Sequence, residues 1–118
     1  MIDSLREVRE TMDAVHKRML DASRADYETL NGRIPGPGLF LELLMNDTFF
    51  AWLRPMSGLM AEIDEALDDP EGLDAERIAR FRGRLESILL DQRYLHYLQT
   101  SPELVMDHAA LRRALGRL

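Results

Sequence analysis

The segment that most constrains the fold is a Pro-Gly-Pro-Gly break at residues 35–38, followed by the most apolar stretch of the chain, residues 39–53. Proline lacks a backbone N–H and fixes φ, so the break interrupts any helix, while the glycines allow the chain to turn. Glu42 is the only polar residue between Leu39 and Met45. A helix that is apolar around most of its circumference lies in the centre of a bundle or is covered by another chain. We therefore expect residues 39–53 to be shielded from water.

A chain of 118 residues has the length of one domain, and we expect residues 1–118 to form a single helical-bundle domain. Its composition, 46% hydrophobic and 31% charged, is that of a globular rather than a disordered protein. The absence of cysteine excludes disulfides and cysteine nucleophiles and fits a reducing compartment. We find neither a signal peptide nor an apolar run of the ~20 residues that span a bilayer, and so expect a cytoplasmic protein without membrane contact.

The net charge of −6 argues against a nucleic-acid partner, because nucleic-acid-binding domains are usually basic. Lys17 is the only lysine beside many arginines, which is typical of a GC-rich bacterial genome. Residues 62–76 contain eight acidic side chains and no basic one, and arginines follow at 77–84. We interpret this region as a solvated turn before a helix with i,i+4 ion pairs. The alternative is an acidic surface that binds a basic partner.

The first helix is expected from Ser4 to Leu30, with Ser4 and Glu7 forming a capping box. Apolar residues then recur in steps of three and four, at Leu5, Val8, Met12, Val15, Met19 and Ala22. This spacing predicts one buried face. Asn31 and Gly32 should end the helix, because both tolerate the left-handed conformation of a C-cap.

Three further helices are expected, at residues 39–68, 74–98 and 101–118. The first of these should be interrupted by the capping residues 46–48 and again by Pro55. The last begins with Ser-Pro, a typical helix start. No strand pattern or internal repeat is present. The sequence thus predicts an all-α protein, an antiparallel four-helix bundle with a broken or kinked second helix.

Catalytic and metal-binding motifs are poorly represented. No serine lies in a Gly-x-Ser-x-Gly turn, and the Pro-Gly-Pro-Gly break lacks the Lys-Ser/Thr of a phosphate loop. Di-iron bundles need two Glu-x-x-His motifs, whereas this chain has only a loose analogue, Asp13-x-x-His16. His16, His96 and His108 could converge on a metal, but their spacing does not require it. We therefore expect no cofactor, no metal and no catalytic residues.

A ligand pocket is the second hypothesis. Tyr94 and Tyr97 lie three residues apart and could line one groove, and His108 occupies an apolar position of the last helix. Together with Trp52 these residues could form a small-molecule or metal site. The alternative is that both tyrosines flank the core and that His108 is a hydrogen-bonded histidine at the edge of the bundle.

The leading hypothesis is an interaction surface on the apolar segment. Phe49 and Trp52 can share one helical face and Phe50 and Leu53 another, since neighbouring residues project ~100° apart. A four-helix monomer of this size would struggle to cover both faces, whereas a second subunit could. The residues expected at this interface are Phe40, Leu44, Phe49, Phe50, Trp52 and Leu53. The alternative is that the segment is buried wholly within one chain.

The pattern Asn-Asp-x-Phe-Phe-Ala-Trp-Leu-Arg-Pro, at Asn46 to Pro55, resembles helical bacterial proteins of uncharacterised function. The resemblance covers the middle third of the chain and implies no activity. Taken together, the sequence predicts a small cytoplasmic helical protein without catalysis of its own. It should act through protein–protein contacts, as a homodimer or with another protein. The alternative is a bundle that binds a small molecule or a metal.

Overall fold

The computed structural model describes all 118 residues, and its only regular elements are helices. Its six α-helices are α1 (Ile2–Asn31), α2 (Pro37–Asn46), α3 (Arg54–Asp68), α4 (Ala75–Ile88), α5 (Gln92–Thr100) and α6 (Pro102–Gly116). Two 3-10 helices flank α3: Thr48–Leu53 precedes it and Pro70–Gly72 follows it. The predicted all-α class is confirmed. None of the helices combines the length and the apolar character needed to cross a bilayer.

The two ends of α1 differ in how well they were predicted. The helix begins at Ile2 without a side-chain cap, so Ser4 lies inside the first turn and the predicted capping box is wrong. Glu7 is instead bound by Arg117 at the other end of the chain. The helix ends as expected before Gly32, whose φ of 86° lies in the left-handed region that glycine adopts without strain.

The apolar segment is divided at the predicted places. Asp47 ends α2, and its carboxylate accepts the Phe49 N–H at 2.8 Å, which caps the 3-10 helix. Pro55 is the second residue of α3, where a missing N–H breaks no helical hydrogen bond. The chain from 37 to 68 is therefore three short helical pieces.

The prediction of one continuous helix over 74–98 is wrong. Asp74 caps α4 by accepting the Arg77 N–H at 2.8 Å, but α4 ends at Ile88. After a short turn, Asp91 accepts the Arg93 N–H at 2.9 Å and caps a separate helix, α5. The turn needs neither glycine nor proline, because the Asp91 side chain satisfies the free N–H groups of the new helix.

The buried apolar side chains form one contiguous core, to which every α-helix except α2 contributes fully buried residues. Helix α1 supplies the predicted face from Leu5 to Met19 and packs against α3 and α6. Helix α3 also packs against α4, and α5 packs against α6. Ion pairs between helices lie around this core: Arg9–Asp64, Arg18–Asp107, Glu62–Arg84, Glu86–Arg112 and Glu7–Arg117. Such surface pairs stabilise little individually.

Candidate functional site

Two of the residues expected at an interface are part of the core. Phe50 and Leu53 are buried within the chain. The Phe50 ring centroid lies 5.3 Å from that of Tyr27 and 5.8 Å from that of Phe40, so aromatic rings enclose it. Phe50 and Leu53 therefore belong to the intrachain core rather than to a contact surface.

The other four residues, Phe40, Leu44, Phe49 and Trp52, are half-buried at the edge of the core. Phe49 packs edge-on against Tyr27, with ring centroids 5.4 Å apart. Trp52 stacks on Tyr97 at 5.5 Å with an interplanar angle of 24°. The rings of Phe49 and Trp52 thus pack against other rings of the chain on one side and are partly exposed to solvent on the other.

The exposed apolar residues of the segment lie on α2. Of the six α-helices α2 has the most apolar composition, yet none of its residues is fully buried. Leu39, Leu41 and Met45 are 42%, 58% and 64% exposed. We call these three residues the α2 surface. Sequence reasoning placed none of these three residues at the interface, because a helix that is apolar on all sides does not show which side faces the core.

A groove runs beside the α2 surface, between α2, α1 and α3. It has a volume of about 410 Å³, and its apolar lining consists of Leu20, Leu41, Leu44, Met45 and Leu53. His16 also lines it, and the His16 Nε2 atom is buried without a hydrogen-bond partner. Burial lowers the pKa of His16, so this imidazole is neutral at pH 7. We call this cavity the α1–α2 groove.

Arg54 holds α2 in place from the first turn of α3. Its Nε donates to the Leu44 carbonyl at 2.9 Å and its Nη2 to the Asp47 carbonyl at 2.6 Å. The carbonyls at the end of a helix lack intrahelical partners, and a guanidinium there also meets the negative end of the helix dipole. A charged side chain thereby helps to fix an apolar helix whose residues are at most half-buried against the core.

The four residues expected to line a pocket form two separate pairs. Tyr94 is fully buried, and its hydroxyl lies 2.6 Å from Nδ1 of His108. Burial raises the pKa of Tyr94 and lowers that of His108. Trp52 and Tyr97 form the stacked pair and border different cavities. Of the four residues, only Tyr97 lines the cavity beside α5.

A second cavity lies between the C-terminal half of α1, the 3-10 helix Thr48–Leu53 and α5, and has a volume of about 480 Å³. Side chains on its walls include Asp26, Leu30, Phe49, Arg93, His96 and Tyr97. The Tyr97 hydroxyl donates to the Asp26 carboxylate. Burial and this carboxylate raise the pKa of Tyr97 to about 12, so the phenol stays protonated. We call this space the α5 cavity.

Arg93 forms one wall of the α5 cavity. Its Nη1 donates to the Phe49 carbonyl at 3.2 Å, and its guanidinium lies 4.9 Å from the centroid of the Phe49 ring. Eight of the fourteen arginines pair with carboxylates, and Arg93 is one of the six that have no carboxylate within 4.0 Å. Sequence reasoning missed Arg93, because its partner is 44 residues away along the chain.

The three histidines lie in different places, at the α1–α2 groove, at the α5 cavity and beside Tyr94. No group of three or more histidine, aspartate or glutamate side chains could hold a metal ion. In the acidic segment, Glu62 pairs with Arg84 and Glu76 with Arg80. Part of its charge is thus neutralised within the chain.

Comparison of the chain with protein-family models, with curated proteins and with solved structures finds no match.

Proposed function

We propose that the protein acts through protein–protein contacts made by the α2 surface, and that its partner is a second copy of itself. The observation that carries this proposal is an apolar helix that buries none of its residues fully. Exposed apolar side chains that cluster on one element are typical of interaction sites. Burial of leucine and methionine side chains against a partner stabilises the complex, because it removes apolar surface from water.

A homodimer fits the shape of this surface. Leu41 and Met45 lie one helical turn apart and form an apolar ridge, and the α1–α2 groove lies directly beside it. A two-fold interface places the same patch of both subunits in contact, so it requires a self-complementary surface. A ridge next to a groove meets this requirement, since the ridge of each copy can enter the groove of the other.

We further propose that α1, α3, α4 and α6 form the antiparallel four-helix bundle that carries α2. Glu7 near the start of α1 pairs with Arg117 just after α6, which supports opposite directions for these two helices. Glu62 of α3 pairs with Arg84 of α4 across the short Pro70–Gly72 turn. Antiparallel neighbours with short connections are the usual geometry of such bundles.

Light scattering coupled to size-exclusion chromatography tests the proposed dimer. The wild type should have twice the mass of the chain at micromolar concentration, and Met45→Glu should be monomeric, because a charge at the interface core is not compensated. Met106→Glu is the matched control, since Met106 is 74% exposed on α6. A wild-type monomer at every concentration, or dissociation by Met106→Glu as well, would contradict the proposal.

A further inference from the structure

The α5 cavity combines apolar walls with convergent polar groups. Leu30 and Phe49 supply apolar surface, and α5 supplies Gln92 and Arg93 from its first turn and His96 from the next. Its volume of about 480 Å³ falls within the ~300–1,000 Å³ of small-molecule sites. The cavity lies apart from the α1–α2 groove and shares no lining residue with it.

Arg93 is the most distinctive group in this cavity. Two contacts with Phe49, to its carbonyl and to its ring, fix the orientation of the guanidinium. Only one of its five N–H groups is used in these contacts, so a pair of parallel donors remains for a ligand. The fork of a guanidinium matches the two oxygens of a carboxylate. A positioned arginine without an internal carboxylate therefore favours an anionic ligand.

Asp26 limits the charge of such a ligand. It lies on the same cavity and already accepts a hydrogen bond from Tyr97. Its negative charge would repel a second anionic group, while the single negative charge of a ligand can remain at Arg93. The apolar body of the ligand then lies against Leu30 and the free edge of Phe49.

We propose that the α5 cavity binds a small organic monocarboxylate, whose carboxylate pairs with Arg93 and whose apolar body packs against Phe49 and Leu30. This site is independent of the α2 surface. Trp52, the only tryptophan, stacks directly on Tyr97 of the cavity and therefore reports on its occupancy.

The test is a titration of the wild-type protein with phenylacetate, 3-phenylpropionate and hexanoate, followed by Trp52 fluorescence and by amide NMR shifts of α5. At least one acid should bind saturably and shift the amides around Arg93. The corresponding amide of that acid should bind at least about tenfold more weakly than the acid, because it loses a charge-assisted pair worth ~1.5–3 kcal/mol. Acetate should not bind measurably, since it has no apolar body.

Two variants locate the binding. Arg93→Gln should weaken binding of the acid about tenfold, to the level of its amide. Arg113→Gln is the matched control, because Arg113 also lacks an ion pair but lies in the last turn of α6, and it should bind as the wild type does. Circular dichroism confirms that both variants fold. The proposal is overturned if none of the three acids shifts α5, if acid and amide bind equally, or if Arg93→Gln binds as tightly as Arg113→Gln.

Discussion

The hydroxyl of buried Tyr94 lies 2.6 Å from Nδ1 of half-buried His108, which joins α5 to α6 at the edge of the core. Burial keeps the phenol protonated by raising its pKa and keeps the imidazole neutral by lowering its pKa. The phenol can therefore donate and Nδ1 accept. A fully buried hydroxyl needs such a partner, which accounts for a histidine among the apolar residues of α6.

The first prediction concerns this hydrogen bond. His108→Leu leaves the buried Tyr94 hydroxyl without a partner and should destabilise the protein by ~1–3 kcal/mol, whereas Tyr94→Phe removes the hydroxyl itself and should cost ~0.5–1.5 kcal/mol. The double variant should be less destabilised than the sum of the two, by about 1 kcal/mol. Urea unfolding of the four proteins measures this coupling. A His108→Leu protein more stable than the wild type would contradict the role given to the pair.

The second prediction is a loss of stability in mild acid. Burial is the main cause that lowers the pKa of both His16 and His108, and Arg112 lowers that of His108 further while Glu86 opposes it. For His16, the Asp13 carboxylate opposes the effect of burial. Both imidazoles thus bind a proton more weakly in the folded state than in the unfolded state, where the ordinary value of 6.5 applies.

Below pH 6.5 the unfolded chain consequently binds more protons, and the free energy of unfolding should fall as the pH decreases toward the lower folded pKa values. Replacing His16 and His108 together by Gln, which does not titrate, should flatten the profile between pH 6.5 and about 5. His96→Gln, at an exposed position, is the control. Glu7 and Glu62, whose pKa values Arg117 and Arg84 lower, act only at more acidic pH. Profiles of equal slope for the wild type and the double variant would exclude this explanation.

The sequence predicts the helical boundaries well where a backbone rule decides them. Gly32, Asp47, Pro55 and Ser101 each mark a boundary, because local chemistry alone prevents continuation of a helix or caps a new one. The break at Asp91 escapes this reasoning. An aspartate within an apolar-periodic stretch is equally compatible with a solvent-facing helical residue, and only the tertiary position of α5 selects the cap.

The candidate surfaces depend on contacts that no local pattern contains. The apolar segment could be located, but the division between half-buried Leu44 and exposed Met45 depends on which side of α2 meets the core. The α5 cavity likewise arises where Arg93 and Phe49 meet. Neither residue type at its position is unusual in the sequence alone, so the pairing becomes visible only in the folded chain.

The third prediction separates core from surface within the apolar segment. Phe50→Ala should cost ~3–5 kcal/mol of unfolding free energy, because it opens a cavity among Tyr27 and Phe40. Met45→Ala should change the stability of the monomer by less than about 0.5 kcal/mol, as is usual for an exposed side chain. Chemical denaturation at a protein concentration at which the chain is monomeric provides the comparison. Similar costs for the two variants would mean that α2 lies against the core differently.

The fourth prediction concerns the attachment of α2. Arg54→Met keeps the aliphatic stem but removes both hydrogen bonds to the end of α2, at the Leu44 and Asp47 carbonyls. Because α2 contributes no fully buried residue and packs against the core only through half-buried Phe40, Leu43 and Leu44, these hydrogen bonds should matter to its local stability. Its amides should exchange with deuterium about tenfold faster in the variant, as expected for a loss of ~1.5 kcal/mol. The amides in the middle of α3 should be unaffected.

Arg113→Met is the control for a change of charge, since Arg113 makes no ion pair and lies in the last turn of α6. It should leave exchange in α2 unchanged. If Arg54→Met accelerates exchange in α2 and also dissociates the proposed dimer, the ordered position of α2 is a condition for the proposed contact, because an ordered helix loses less conformational entropy on binding. Equal exchange rates of the α2 amides in Arg54→Met and the wild type would contradict this prediction. The contacts between α2 and the 3-10 helix Thr48–Leu53 would then suffice to hold α2, and the two hydrogen bonds would contribute nothing measurable.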